Sequence, residues 1–226
     1  MSAGRIFTDF HTHTILSDGE LLPEELLRRA LVRGFTAIGL TDHVGWSNCV
    51  AVAEQVARAC ESYRRYAGIV AIPGVEITHV PAAGIAEVAA LARRAGARLV
   101  VVHGETPVEP VEPGTNRAAV SCPDVDVLAH PGLMSAEEAA LAAQNGVYVE
   151  ISGRKGHSLT NGHVVQTGRA AAVRFLINSD AHAPGDLLTL EMARKVGLGA
   201  GLDEEELAGA IERNPAILLG KLGMRP

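Results

Sequence analysis

The chain repeats one unit seven times: a short apolar run of strand length, followed by polar residues and then by a segment with helical spacing. The runs cover residues 6–10, 35–40, 69–77, 99–102, 125–128, 147–151 and 174–178. Helical segments at 23–33, 51–66, 85–95, 116–120, 135–144 and 161–172 separate them. Pro23 suits a first turn, Asn116 a cap, and Ser135 with Glu138 a capping box. Strands joined through helices run parallel. Seven of them in 226 residues close most economically as a distorted (β/α)7 TIM-like barrel, one α/β domain over residues 1–226. A doubly wound open sheet would use the same alternation, but no G-x-G-x-x-G follows the first run and there is no Walker loop. Three closing helices are expected at 189–196, 203–213 and 215–219, with no strand between them.

A chain of this length buries a full core without disulfides. Cys49, Cys60 and Cys122 are odd in number and form no C-x-x-C pair, which fits a reducing, cytoplasmic setting. With five residues before the first run no signal peptide is expected, and charges interrupt every apolar stretch before bilayer-spanning length. A net charge of −6 and 4% aromatic residues count against a polyanion-binding surface, so no nucleic-acid or membrane partner is expected. Nothing in the sequence sets the oligomeric state.

In either α/β architecture the functional side chains collect at the carboxyl ends of the strands. There the sequence places His11, His13 and Asp18 after run one, His43 after run two, Glu76 within run three, His103 after run four, His130 after run five, and Asp180 and His182 after run seven. His11 and His13 stand two apart, which turns both side chains to one face of a strand. Six of the nine histidines fall at strand ends, a convergence that histidines merely closing loops would not produce. Imidazoles mixed with carboxylates suit Zn, Mn or Fe, whereas Mg or Ca would want oxygen ligands throughout.

The motifs DFHTHT, SDG, TDH, GVEIT, VVHG, AHPG and SDAH occur in that order from about Asp9 to His182. This order resembles the polymerase and histidinol phosphatase (PHP) superfamily of metal-dependent phosphoesterases, and the size and spacing are similar to its stand-alone histidinol-phosphatase-like members. The resemblance implies a distorted seven-stranded barrel with two or three divalent ions. Carried over motif by motif, it implies one ion on His11, His13, Glu76 and Asp180. A second would share Glu76 with His103 and His130, and a third would take Asp18, His43 and His182. Some members carry a histidine where Asp18 stands.

Three ligand carboxylates against three dications leave an excess of about three positive charges when the histidines are neutral. That surplus suits a hydroxide and a phosphate. The expected reaction is hydrolysis of a small phosphomonoester by a metal-bridging water, with Glu76, Asp180 and His182 as the residues on which catalysis depends. Arg154 and Lys155 in the glycine-rich loop 152–160 are candidate phosphate contacts, and His157 a candidate substrate contact. Arg117 is a further candidate. His79 and Glu105 could line the mouth, His163 could face a substrate, and Asp9 and Asp42 could orient ligand imidazoles.

Two other classes use similar parts. A metal nuclease or phosphodiesterase acting on nucleotides or nucleic-acid ends, including the TatD type, also begins with H-x-H. That pattern, however, does not require the TDH after run two or the final histidine of SDAH. Amidohydrolases share H-x-H in longer chains. A non-catalytic metal-binding regulator would be marked by lost ligands, and here the set is complete.

Overall fold

The protein is described by a computed structural model over residues 7–224; Ile6 and the outermost ends of the expected domain lie outside the described residues. The strands are β1 (Thr8–Asp9), β2 (Ala37–Leu40), β3 (His43–Val44), β4 (Val70–Ile77), β5 (Leu99–His103), β6 (Val127–Ala129), β7 (Tyr148–Ser152) and β8 (Phe175–Asn178). All pair in parallel, in the order β1-β2-β4-β5-β6-β7-β8, with β3 also on β4. β2 and β3 are one stave interrupted at Thr41 and Asp42, so the sheet has seven staves. It is nearly closed: Thr12 bridges Ala181, and His13 N–H donates to Ala181 O at 2.8 Å. The barrel reading therefore holds over the open sheet.

Strand parity divides the core in two. Val100 and Val102 face the helices with the large outer cluster, while Leu99 and Val101 point into the barrel with Phe10, Ile72, Val127, Tyr148 and Leu176. The helices are α1 (Pro23–Val32), α2 (Cys49–Arg64), α3 (Ile85–Arg94), α4 (Thr115–Ser121), α5 (Ala136–Asn145), α6 (Asn161–Ala170), α7 (Leu190–Gly199), α8 (Glu204–Ala208) and α9 (Asn214–Lys221). Leu218 and Leu219 of α9 and Leu222 just after it complete the inner cluster and plug the amino-terminal end of the barrel. Among the described residues no helix is long and apolar enough to cross a membrane.

Four local expectations are corrected. The first strand stops at Asp9, because Phe10 N–H donates to the Asn178 side chain and His11 N–H to Asp9 Oδ1 instead of continuing the ladder. Asn116 lies inside α4 and caps nothing. Its Oδ1 accepts from Glu105 N–H and its Nδ2 donates to Pro131 O, tying two loops together. The strand ending in His103 includes that residue. The helix expected over 203–213 is α8 followed by a wider π turn, Gly209–Arg213. Pro215, with no N–H to give Ile211, follows directly and removes an α-helical bond at that point.

Candidate metal centre

The inward parity that places Leu99 and Val101 in the barrel interior also turns His103 to its mouth, and the same alternation delivers Glu76 after Ile72 and Asp180 after Leu176. All three are buried. Around them stand four overlapping groups whose ligand atoms lie within 4.8 Å of one another: His11, His13 and Asp180; His11, Glu76 and His130; His13, Asp18, His43 and His182; and His103, His130 and His157. These groups take in all nine sequence-predicted ligands, and His157 as a tenth member.

The two central carboxylates each serve two sides. Glu76 Oε1 lies 3.2 Å from His11 Nε2 and 3.5 Å from His130 Nε2, while its Oε2 lies 2.7 Å from His43 Nδ1 and 3.6 Å from His13 Nε2. Asp180 Oδ1 faces His13 Nε2 at 3.2 Å and His182 Nδ1 at 3.4 Å, and its Oδ2 faces His130 Nε2 at 3.7 Å and His157 Nε2 at 3.8 Å. Asp18, more exposed, has Oδ1 3.2 Å from His182 Nε2 and 3.5 Å from His43 Nε2. Glu76 forms no ion pair with His103 among the described residues.

The donor set fits divalent cations. His11 Nε2, both nitrogens of His13, His130 Nδ1 and Glu76 Oε1 are buried with no hydrogen-bond partner, a state that is costly unless something else satisfies them. Burial opposes charge on His11, but Glu76, Glu150 and Asp180 outweigh it and hold its pKa well above 6.5. Carboxylates that favour a proton there would favour a metal cation in its place. Burial pulls His13 down to about 3 and, with help from His130, His157 to about 4, leaving both imidazoles neutral as ligands must be. Burial would raise Asp180, yet His11, His13 and His130 hold it well below the carboxylate range. His130 at φ 25° and Asp180 at φ 53° sit in left-handed backbone that non-glycine residues rarely adopt. Such strain costs on the order of 1–3 kcal/mol per residue and is concentrated in proteins at functional sites.

Glu150 and Glu109 were not found by sequence reasoning. Glu150 Oε2 accepts from His11 Nδ1 at 2.7 Å and from Asn178 Nδ2 at 3.0 Å, which fixes the ring and frees Nε2. It lies on β7 two residues after the inward Tyr148, so the alternation rule reaches it. Glu109 projects from the proline-rich loop to His103 Nε2 at 3.1 Å, His79 Nε2 at 3.3 Å and His157 Nε2 at 3.5 Å. The hydrogen bond from His103 draws its pKa down to about 2, and no periodic signal marks it.

Arg154 reaches the site: its Nη1 donates to Asp180 O at 3.0 Å and lies 2.8 Å from His182 Nδ1. Lys155 is exposed and does not line the cavity. Arg117 pairs with Glu137 outside it at 2.8 Å. His163 is held by Met134 O at 2.8 Å. Asp9 accepts the backbone N–H groups of His11 and Ser179, and Asp42 those of Thr14 N–H and the Thr14 and Ser17 hydroxyls, so neither orients an imidazole. Glu105 ties its own loop through Gly114 and Asn116 N–H. The cavity over the ligands, about 460 Å³, is lined by Asp18, His43, His79, Glu109, Arg154 and His182 among others.

A nearly closed parallel barrel with overlapping histidine and carboxylate groups at its carboxyl-terminal mouth defines a class of barrel proteins able to hold divalent metal ions. The chain belongs to the PHP domain family, which matches residues 9–145. An uncharacterized protein of Methanocaldococcus jannaschii is 48% identical over 215 residues, covering 95% of this chain and 99% of its own. A histidinol phosphate phosphatase of Lactococcus lactis, solved with zinc, L-histidinol and phosphate, has a TM-score of 0.56 at 13% identity, over 97% of this chain and 94% of that one. A chain in an archaeal ribonuclease P solved with mature tRNA has a TM-score of 0.65 at 17% identity, over 95% and 89%. At such identities these two structures establish the shared fold alone.

Proposed function

We propose that the protein is a metal-dependent phosphoesterase that hydrolyses a small phosphomonoester, working with two or three Zn, Mn or Fe ions in a reducing, cytoplasmic compartment. The observation that carries this reading is the convergence of ten ligand-type side chains in overlapping groups at the mouth of the barrel, with Arg154 beside Asp180 and His182. His11, His13, Glu76, Asp180, His43, Asp18, His182, His103 and His130 would hold the ions, which when bound supply Lewis acidity toward phosphoryl oxygens and a water nucleophile near neutral pH. The chain's own residues do the positioning. Glu150 holds the His11 ring, Glu76 and Asp180 present their oxygens to neighbouring groups, and Arg154 offers a fork of donors to a phosphate entering beside Asp180 and His182. Arg154 keeps its place through the Asp180 carbonyl.

Two features favour a small substrate. The cavity, about 460 Å³, lies in the range of small-ligand sites. Among the described residues Arg154 is also its sole Lys or Arg lining residue, set against Asp18, Glu109 and Asp180, where a nucleic acid would need a basic track and stacking rings. The test is a hydrolysis panel of aryl phosphate, aryl phosphodiester, histidinol phosphate, mononucleotides and short oligonucleotides, with each metal and with chelator. Turnover of monoesters that chelator abolishes is the expected result. Turnover of oligonucleotides alone would make the protein a nuclease, and full metal occupancy without turnover would make it a metal-binding regulator.

A further inference from the structure

We propose that His157 and Glu109 are ligands of the ion held by His103 and His130, completing a pocket of three imidazoles and one carboxylate that the loop 105–114 closes from the mouth. This rests on the metal-centre reading above and adds two residues to it. The resemblance in sequence assigned that ion to Glu76, His103 and His130. Glu76 has no ion pair with His103, whereas the ligand atoms of His103, His130 and His157 lie within 4.8 Å of one another.

The orientation of each ring supports coordination. His157 Nδ1 lies 2.7 Å from Thr106 Oγ1, and His103 Nδ1 lies 3.2 Å from Gly104 O. Occupying one ring nitrogen with an oxygen partner is how proteins aim the other at a metal. The two Nε2 atoms then face the same carboxylate, His103 toward Glu109 Oε2 at 3.1 Å and His157 toward Glu109 Oε1 at 3.5 Å. The His130 and His157 rings stack at 4.1 Å between centroids, and His103 meets them edge-on at 4.5 and 5.8 Å.

Direct contact between His157 and a phosphate is the competing role, and the charges disfavour it. His157 is buried, and its Nε2 stands within 4.0 Å of two carboxylates, Glu109 at 3.5 Å and Asp180 at 3.8 Å. A phosphate oxygen at that point would meet two like charges, while a dication would be neutralised by them. Three nitrogens and one carboxylate oxygen also match the preferences of zinc and its neighbours.

The loop that carries Glu109 and Thr106 is built to stay in place. Glu105 Oε1 accepts from Gly114 N–H and Asn116 N–H, both at 2.9 Å, and Asn116 Oδ1 accepts from Glu105 N–H at 3.0 Å. At its back, Gly132 has φ +62°, and a Cβ there would collide with Glu105 O. Only a glycine allows the two loops to approach so closely.

The experiment is titration of chelator-stripped, full-length protein with Zn2+ by calorimetry and metal analysis, with no substrate present. His157→Ala should lose one ion per chain or bind it at least ~100-fold more weakly, and Thr106→Val should weaken the same ion by about 10-fold, the remaining ions keeping their affinity. Should His157→Ala fail to fold by circular dichroism, Thr106→Val and Glu109→Gln leave the imidazole in place and report on the same ion. Wild-type affinity and count in His157→Ala, or in both of the other variants, would overturn the assignment. So would a raised KM for phosphomonoester with unchanged metal binding, which would make His157 a substrate contact. Wild-type protein that binds no divalent ion would instead overturn the metal centre itself.

Discussion

At the scale of single residues, several imidazoles of the site are aimed by a partner behind the ring, while both nitrogens of His13 and Nδ1 of His130 are left without one. Glu150 does this for His11 with a bond of 2.7 Å, at a position where both groups are fully buried. Glu150→Gln keeps the shape but removes the charge that orients the ring, so affinity for the ion on His11 should fall about 10–100-fold. Competition of the loaded protein with a metal-sensing dye reads this directly, and unchanged release would deny Glu150 that role. The nine strand-end candidates could be read from the sequence because each sits at or just beyond the end of an apolar run. Glu150 obeys the same alternation and was hidden only by lying within a strand. Glu109 could not be read, because its position depends on how three prolines fold the loop 105–114. Lys155 and Arg117 show the reverse: a cation near the right loop or helix says nothing about which way it points, and both point away.

At the scale of elements, the helices are set by local chemistry legible in the sequence. Ser135 and Glu138 form the expected capping box on α5, and Asp203 with Glu206 forms another on α8. Asp203→Ala should destabilise the fold by about 1 kcal/mol in urea unfolding. Glu206 also receives Arg169 of α6 through both oxygens, at 2.6 and 2.7 Å. The hydrogen bond from Arg169 holds the Glu206 pKa at about 2, below its ordinary 4.5. A carboxylate with a lowered folded-state pKa contributes stability that is present above the ordinary value and lost as pH falls through the folded one. The difference in stability between wild type and Glu206→Gln, about 0.5 kcal/mol for so exposed a pair, should therefore shrink as pH falls from 4.5 toward 2. A difference that grows on acidification would reverse that assignment. Boundaries were less legible than elements: β1 ends early because Asp9 and Asn178 take N–H groups that a longer strand would have paired, a tertiary effect with no local signature.

At the scale of the whole molecule, one alternation builds both the core and the centre. The residues that fill the barrel below, such as Ile72, Leu99 and Leu176, share strands with Glu76 and His103 above or lead directly to Asp180. The barrel is thereby divided along its axis into an apolar floor and a polar mouth. Leu218 of α9 seals that floor with no exposed surface. Leu218→Ala should lower stability by about 2–5 kcal/mol while leaving the ligands in place, so that metal content per folded chain is unchanged when measured below the unfolding transition. Seven strands were countable from their apolar runs, and closure followed from their number. The near-closure through Thr12 and Ala181, a contact between the first and last staves, had no sequence signal because it depends on residues far apart in the chain.

The most direct test of a shared, multinuclear centre is metal analysis of reconstituted wild-type protein beside Glu76→Gln. Glu76 directs Oε1 to His11 and His130 and Oε2 to His43 and His13. Wild type should therefore hold two or three ions per chain, and the variant should lose or weaken two together. Loss of a single ion, or a wild-type chain that retains none, would contradict the account.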